Sequence, residues 1–352
     1  MSMNPLAKRI AIACGGTGGH LFPGLAVGDT FVARGCDVTL LVSPKEVDQT
    51  AVKSAYGMEV ESLPMVALSG NLPLFAACFW SSLGQCRRLF REHRPEAVLA
   101  MGGFTSAPPV VAGKLAGARI FLHEANAIPG RAVKLLAPLA DELFVQFPTA
   151  MPRVLSTDIH ATGLPVRSAM EPLAKAAARI ALGLADDQSV LLVMGGSQGA
   201  EVLNQRVPAA LAALPERLRL EIWHQAGRGL EDACDAYAKC GVEARLDAFV
   251  DDMANAYGWA DLVICRAGAL TIAELAAAGL GAILVPYPYA IDDHQTRNAD
   301  SFASRGAGVV IPEDEFTSER LARELTRLLE DRSFLTQFCE SCLLYTSDAA
   351  DE

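Results

Sequence analysis

Short apolar runs return at intervals along this chain: RIAIAC (9–14), DVTLLVS (37–43), AVLAMGG (97–103), ARIFLHE (118–124) and ELFVQF (142–147). Segments of helical period lie between them. A strand that is apolar on both faces must be covered on both faces, and strands alternating with helices form βαβ units, so the pattern prescribes parallel sheets sandwiched between helices. The pattern then restarts. SVLLVMGGSQGAEVLNQRV (189–207) repeats the opening layout of buried strand, glycine-rich turn and helix, and LRLEIWHQAG, ARLDAFV, DLVICRAGA and GAILVPYP continue it. For 352 residues, two domains are the expectation. The chain reads as two doubly wound α/β domains, residues 1–163 and 164–341, joined near ATGLPVRSAM (161–170), with a ligand at the carboxyl ends of the strands in the cleft between them.

The formal net charge of −11 leaves no basic surplus for neutralising phosphates and argues against a nucleic-acid partner. The nine cysteines are scattered, several inside apolar runs, and read as small buried hydrophobes in a reducing compartment rather than as a disulfide framework. Lys8 and Arg9 precede only five apolar residues before Gly15, too few for a signal peptide. The longest apolar stretch, LPLFAACFW, cannot span a bilayer, which takes about 20 residues. A cytoplasmic chain is expected. The last segment, CLLYTSDAADE (342–352), matches neither the periodicity nor the composition before it and is expected to be a non-native tail, with the natural reading frame ending near Ser341.

Glycines placed directly behind a buried strand let an anion approach the backbone where a helix presents free N–H groups. Gly15, Gly16, Gly18 and Gly19 stand at such a point, Gly102 and Gly103 at a second, and GGSQGA (195–200) at a third. The spacing is neither GxGxxG nor a Walker A motif: there is no loop lysine, and DVTLLVS ends in Ser43 where a dinucleotide site would want a carboxylate. Tight structural turns would use the same residues. The recurrence points to two or more phosphate-bearing groups held together: a nucleotide-activated donor and a phosphorylated acceptor. His20 opens the first helix, where the positive helix end keeps an imidazole neutral. It is then a candidate general base, or else a residue that caps and packs. His123, Glu124 and Asn126 cluster behind the fourth strand, where polar residues at a carboxyl end point to a role in binding, or else to a satisfied turn. In CRAGALTIAEL (265–275), Glu274 falls inside a helix starting near Leu270, within reach of ribose hydroxyls; Gln295 lies in the polar turn DDHQTRNA (292–299). No ligand-type His/Cys spacing lies outside the suspect tail, so no metal is expected, and a departing diphosphate must be met by backbone dipoles and cations such as Arg167.

GGTGGHLFPGLAV, MGGFTSAP, HEANAIPG, TGLPVR, GGSQGA, IWHQAG, FVDDMANAYGWADLVICRAGALTIAELAAAG and DDHQTRNA together resemble the MurG-type transferases of glycosyltransferase family 28, over residues 8 to about 341. The resemblance implies a GT-B fold of two Rossmann-like domains, the first for a lipid acceptor and the membrane surface, the second for a UDP-GlcNAc donor. It implies inverting transfer of N-acetylglucosamine to the MurNAc C4 hydroxyl of undecaprenyl-diphospho-MurNAc-pentapeptide (lipid I), without cofactor, at the cytoplasmic face of the inner membrane. Thr17, Gly18, Gly19, Asn126, Arg167, Ser197, Val250, Ala269, Leu270, Thr271, Ile272, Ala273, Glu274 and Gln295 would contact the donor. Within that set, Asn126 and Gln295 address the sugar, Glu274 the ribose, Val250 the uracil, and Ser197 with the 269–271 turn the diphosphate. Gly15, Gly16, Gly102 and Gly103 would hold the acceptor diphosphate, with His20 as base. Two departures stand out. Ala125 replaces a glutamine common in the family, and family members continue for about one further helix, whose loss would loosen the fold.

Phe75, Phe79 and Leu83, spaced four apart and followed by Arg87 and Arg88, form an apolar stripe with a basic flank suited to an anionic membrane; an ordinary core-facing helix has the same spacing. Two further functions use the same architecture. A UDP-GlcNAc 2-epimerase would need no acceptor, and a non-catalytic nucleotide-binding module would lose only binding on substitution of His20. Transfer to a different lipid acceptor is a third variant.

Overall fold

The computed structural model describes residues 9–65, 72–148, 158–167, 189–196, 198–218 and 220–347. The chain divides into two compact units, Met1–Ser168 and Ala169–Glu352.

In the first unit, β1 (Arg9–Ala13), α1 (Gly18–Ala33), β2 (Asp37–Val42), α2 (Glu46–Ala51), β3 (Glu59–Ser62), α3 (Leu72–His93), β4 (Ala97–Ala100), α4 (Ala107–Ala116), β5 (Arg119–Glu124), α5 (Arg131–Leu136), β6 (Glu142–Val145) and β7 (Asp158–Ala161) follow one another. All seven strands are parallel, in the order β3-β2-β1-β4-β5-β6-β7. The order reverses between β1 and β4, which opens a crevice at their carboxyl ends. Ile10, Ile12, Val38, Leu40 and Val42 pack with Leu21 and Leu25 of α1 to form its core. The GLAVG segment of α1 lets the helix lie close on the sheet: a Cβ on Gly24 would stand 2.3 Å from that of Cys14.

The second unit repeats the plan with β8 (Ser189–Met194), α6 (Glu201–Ala212), β9 (Leu220–Gln225), α7 (Leu230–Cys240), β10 (Arg245–Asp247), α8 (Met253–Trp259), β11 (Leu262–Cys265), α9 (Ala269–Ala278), β12 (Ala282–Leu284), α10 (His294–Ala303), β13 (Gly308–Val310), α11 (Ser318–Glu330) and α12 (Arg332–Ser347). Its six parallel strands run β10-β9-β8-β11-β12-β13, reversing between β8 and β11. Leu191, Val193, Ile264, Ile283, Leu325 and Phe338 belong to one continuous core. Buried in β9, His224 meets the Tyr237 hydroxyl at 3.0 Å, and burial pushes its pKa down to about 4. The residue at which the sequence pattern breaks, Cys342, is buried, and α12 runs on to Ser347; residues 348–352 lie outside those described.

The expected membrane stripe is corrected. Leu83 is buried in the inner face of α3 with Ser82, Cys86, Leu89 and Phe90, while Phe75 and Phe79 are half-buried. The outward apolar residues of the helix are Leu72, Leu74 and Trp80, the last 67% exposed. Arg87 and Arg88 are exposed, as expected. Apolar residues three to four apart mark a helix face, and at 100° per residue Phe75, Phe79 and Leu83 fall on the same side of α3 as the buried Cys86 and Phe90, so that stripe turns toward the core.

Candidate active site

In the first unit, the carboxyl ends of β1 and β4 bring the two glycine loops into one body. The Thr105 hydroxyl donates to the Gly15 carbonyl at 2.8 Å. Gly16, at φ +109°, has no room for a side chain, since a Cβ there would stand 2.8 Å from Phe104 Cε1. Gly102 and Gly103, also at positive φ, lie flat against the imidazole of His20, where added Cβ atoms would stand 3.2 and 3.0 Å from the ring. The second loop is therefore the seat of His20, and Gly102 is itself buried. His20 Nδ1 is enclosed without a hydrogen-bond partner, whereas the residue as a whole keeps part of its surface open. Burial holds its pKa below the ordinary histidine value, opposed by the Met101 carbonyl and the charge of Asp48. Desolvation is the chief cause that keeps the ring neutral.

A residue that no sequence motif singles out organises the first loop. Asp48, wholly buried, accepts through Oδ2 from the Gly16 N–H at 2.7 Å, the Ser43 N–H at 3.1 Å and the Ser43 hydroxyl at 2.5 Å. The expectation that Gly15 and Gly16 cradle a diphosphate is corrected accordingly. The Gly16 N–H is already committed to a carboxylate, and Gly15 is buried because a Cβ would collide with the Ser43 backbone at 2.3 Å. What remains for an anion is the start of α1. Thr17 is its exposed N-cap, and the N–H groups of Gly18 and Gly19 have no intrahelical acceptor.

Behind β5, His123 and Glu124 are both buried. His123 Nε2 meets the Gly163 carbonyl at 2.8 Å and so ties down the 162–167 segment; burial lowers its pKa to about 4. Glu124 is a loop brace rather than a ligand group, accepting from the N–H groups of Asn126 at 2.8 Å and Gly130 at 2.7 Å. Asn126, half-buried, also donates its side-chain amide to Glu124 at 3.3 Å. The Arg167 guanidinium lies over the Phe22 ring at 4.6 Å, with Nε enclosed and unpartnered.

In the second unit, a cavity of about 830 Å³ opens at the carboxyl ends of β8, β11 and β12. Gly195, Gly196, Gly199, Gly268, Thr271 and Gln295 line it, with Arg266, Tyr287, Tyr289 and Glu313. Its floor is a crossing of two turns: a Cβ on Gly199 would stand 2.3 Å from the Ala226 carbonyl, and one on Gly227 would stand 2.2 Å from the Gly199 nitrogen. Ser197 lies outside the described residues. Of the expected 269–274 set, Ile272 and Ala273 point into the core and Ala269 is also buried, so these offer backbone alone; Leu270 is half-buried. Glu274 accepts from the buried Tyr257 hydroxyl at 2.9 Å, and neither it nor the buried Val250 lines the cavity. Gln295 Oε1 accepts the Tyr287 N–H at 3.0 Å. Arg266 is a further residue the sequence reading passed over. Its guanidinium contacts Glu313 at 2.6 Å, donates to the Val285 and Pro286 carbonyls, and lies under the Tyr287 ring. A charged residue directly after an apolar strand end was the available signal. Among the described residues, no group of three His, Cys, Asp or Glu could hold a metal ion.

The glycosyltransferase family 28 N-terminal domain matches residues 10–145 and the C-terminal domain of that family matches residues 190–341. A Nitrosococcus oceani protein named UDP-N-acetylglucosamine–N-acetylmuramyl-(pentapeptide) pyrophosphoryl-undecaprenol N-acetylglucosamine transferase is 46% identical over 332 residues, 93% of this chain and 91% of that one. The protein of the same name from Azotobacter vinelandii is 45% identical over 92% of this chain and 90% of its own length. A crystal structure of MurG from Acinetobacter baumannii superposes with a TM-score of 0.77 at 31% identity, covering 98% of each chain. Two doubly wound parallel-sheet units, matched in order by both family domains, make this chain a GT-B glycosyltransferase belonging to glycosyltransferase family 28.

Proposed function

We propose that the chain transfers N-acetylglucosamine from UDP-GlcNAc to the MurNAc C4 hydroxyl of lipid I, inverting C1 and releasing UDP, to give lipid II for peptidoglycan. The observation that carries this reading is the 46% identity to a transferase of that name along 332 residues. His20, held neutral between two glycine loops, supplies the chemistry. It takes the C4 hydroxyl proton as that oxygen bonds to C1 on the face opposite the diphosphate, and the bond from C1 to the phosphate oxygen breaks. The charge gathering on the departing UDP is met by the Gly18 and Gly19 N–H groups and by Arg167. Gln295 and Asn126 address the sugar, Thr271 and the start of α9 the diphosphate, Glu274 the ribose, and the Val250 backbone the uracil. The reaction so written needs no metal and no other cofactor.

The test is mass-spectrometric product analysis after incubation with UDP-GlcNAc, a short-chain lipid I analogue and EDTA. A disaccharide lipid plus UDP is expected. UDP-ManNAc formed without acceptor would replace the reading by an epimerase, and dependence on added divalent metal would sink the cofactor-free mechanism.

The acceptor places the enzyme at the cytoplasmic face of the inner membrane as a peripheral protein; among the described residues, no helix is long and apolar enough to cross a bilayer. The exposed side chains of Leu74 and Trp80 on α3, with Leu72 at its first turn and Arg87 and Arg88 further along, suit an anionic surface. Trp80→Ser is expected to reduce co-sedimentation with phosphatidylglycerol vesicles several-fold and to leave UDP-GlcNAc binding unchanged. Undiminished co-sedimentation would reject this face.

A further inference from the structure

The first glycine loop is flanked by two aromatic rings, and each ring carries a cation. On one side Gly18 faces Phe22, 3.2 Å from an added Cβ, and Arg167 lies over that ring at 4.6 Å. On the other side Gly16 faces Phe104, and Lys45 Nζ lies 5.1 Å from the centre of that ring. The ammonium also donates to the Gly16 carbonyl at 2.8 Å, so Gly16 is gripped through its N–H by Asp48 and through its C=O by Lys45. Thr17 stands exposed between the two stacks.

Resting on the transferase reading above, we infer that Lys45 is a specificity-determining residue that binds the acceptor's diphosphate, while Arg167 serves the donor's. A reaction joining two diphosphate-bearing substrates brings two separate multiple charges to one loop. Asp48 consumes an N–H of that loop and adds negative charge beneath it, so the loop's own amides are too few to meet both. Lys45 is exposed, and an ammonium has three donors, of which the Gly16 carbonyl takes one. Among the described residues, Lys45 pairs with no carboxylate. Its cation comes from the turn after β2 rather than from the loop, which is why a search for a loop lysine passed it by. Titratable groups at the loop include Asp48, which accepts from Gly16, and His20 at its end, and burial raises the pKa of the neighbouring Cys14 thiol.

Steady-state kinetics with UDP-GlcNAc and a short-chain lipid I analogue test this. Lys45→Met is expected to raise the acceptor KM about tenfold, the worth of one charge-assisted hydrogen bond, and to leave the UDP-GlcNAc KM within about twofold. Lys45→Arg is expected to keep the acceptor KM within about threefold, because a guanidinium also binds phosphate. An unmoved acceptor KM in Lys45→Met, or equal rises in both KM values, would overturn the inference and leave Lys45 a loop prop. If Lys45→Met lowers the unfolding midpoint, Lys45→Arg decides: a restored midpoint with a raised acceptor KM also overturns it. Absence of transfer by the unaltered chain would instead remove the transferase reading beneath it.

Discussion

Replacing His20 with asparagine is expected to lower kcat about a thousandfold, the middle of the range for a positioned general base, with both KM values within about threefold. The ring is seated by the Gly102 and Gly103 backbone, so asparagine loses the base and leaves the loops in place. The pH profile carries the second half of this expectation. Burial lowers the folded-state pKa of His20 below the ordinary value of 6.5, so the ring remains neutral as the pH falls through 6.5 and protonates only further down. In the unaltered chain, kcat/KM should therefore hold steady through pH 6.5 and decline below it. A variant keeping more than about a tenth of kcat would remove His20 from the chemistry. An acid limb centred at or above 6.5 would contradict the burial that keeps the ring neutral.

The largest expected effect on stability belongs to Asp48→Ala. It strands three donors, the Gly16 N–H, the Ser43 N–H and the Ser43 hydroxyl, around a fully buried carboxylate position. At about 1 kcal/mol or more for each orphaned donor, the cost is about 3 kcal/mol. That corresponds to a fall of about 10 °C in the unfolding transition of a unit of this size. Asp48→Asn retains an acceptor oxygen and should fall by less. Calorimetry on the two variants decides: equal, small shifts would show that water replaces the carboxylate and that the loop does not depend on it. Activity should fall with stability, since Thr17 to His20 take their direction from Gly16.

Much of the architecture was legible because buried parallel strands announce themselves as apolar runs, as β1, β2, β5, β8 and β11 do. Three strands were missed, all at sheet edges: β13 is a half-buried run of only three residues, GVV, and the other two are of another kind. β3 and β7 occupy the two edges of the first sheet and are mostly exposed or half-buried, with polar sequences, EVES and DIHA, that carry no such run. Within the site, the glycine turns and His20 stood out because each is a local oddity of composition. Asp48 and Lys45 did not, because their partner Gly16 is 32 and 29 residues away and only the fold brings them together. Glu124 was misjudged in the opposite direction. A carboxylate behind a strand looks available to a ligand until the Asn126 and Gly130 amides are seen to occupy it. On α3 the apolar spacing marked a face but did not say whether the rest of the fold or a membrane would cover it.

The crossing of the Gly199 and Gly227 turns has a consequence for how the cavity of the second unit can change over generations. That floor is main chain pressed on main chain, with no space for a side chain on either glycine. It has no rotamers with which to accommodate a differently shaped guest, and no substitution can remodel one turn without displacing the other. Adaptability is confined to the walls, where Tyr287, Tyr289, Gln295 and Arg266 meet the cavity with side chains rather than main chain. A laboratory selection for transfer of another nucleotide-linked sugar should accumulate its substitutions there and leave both glycines untouched.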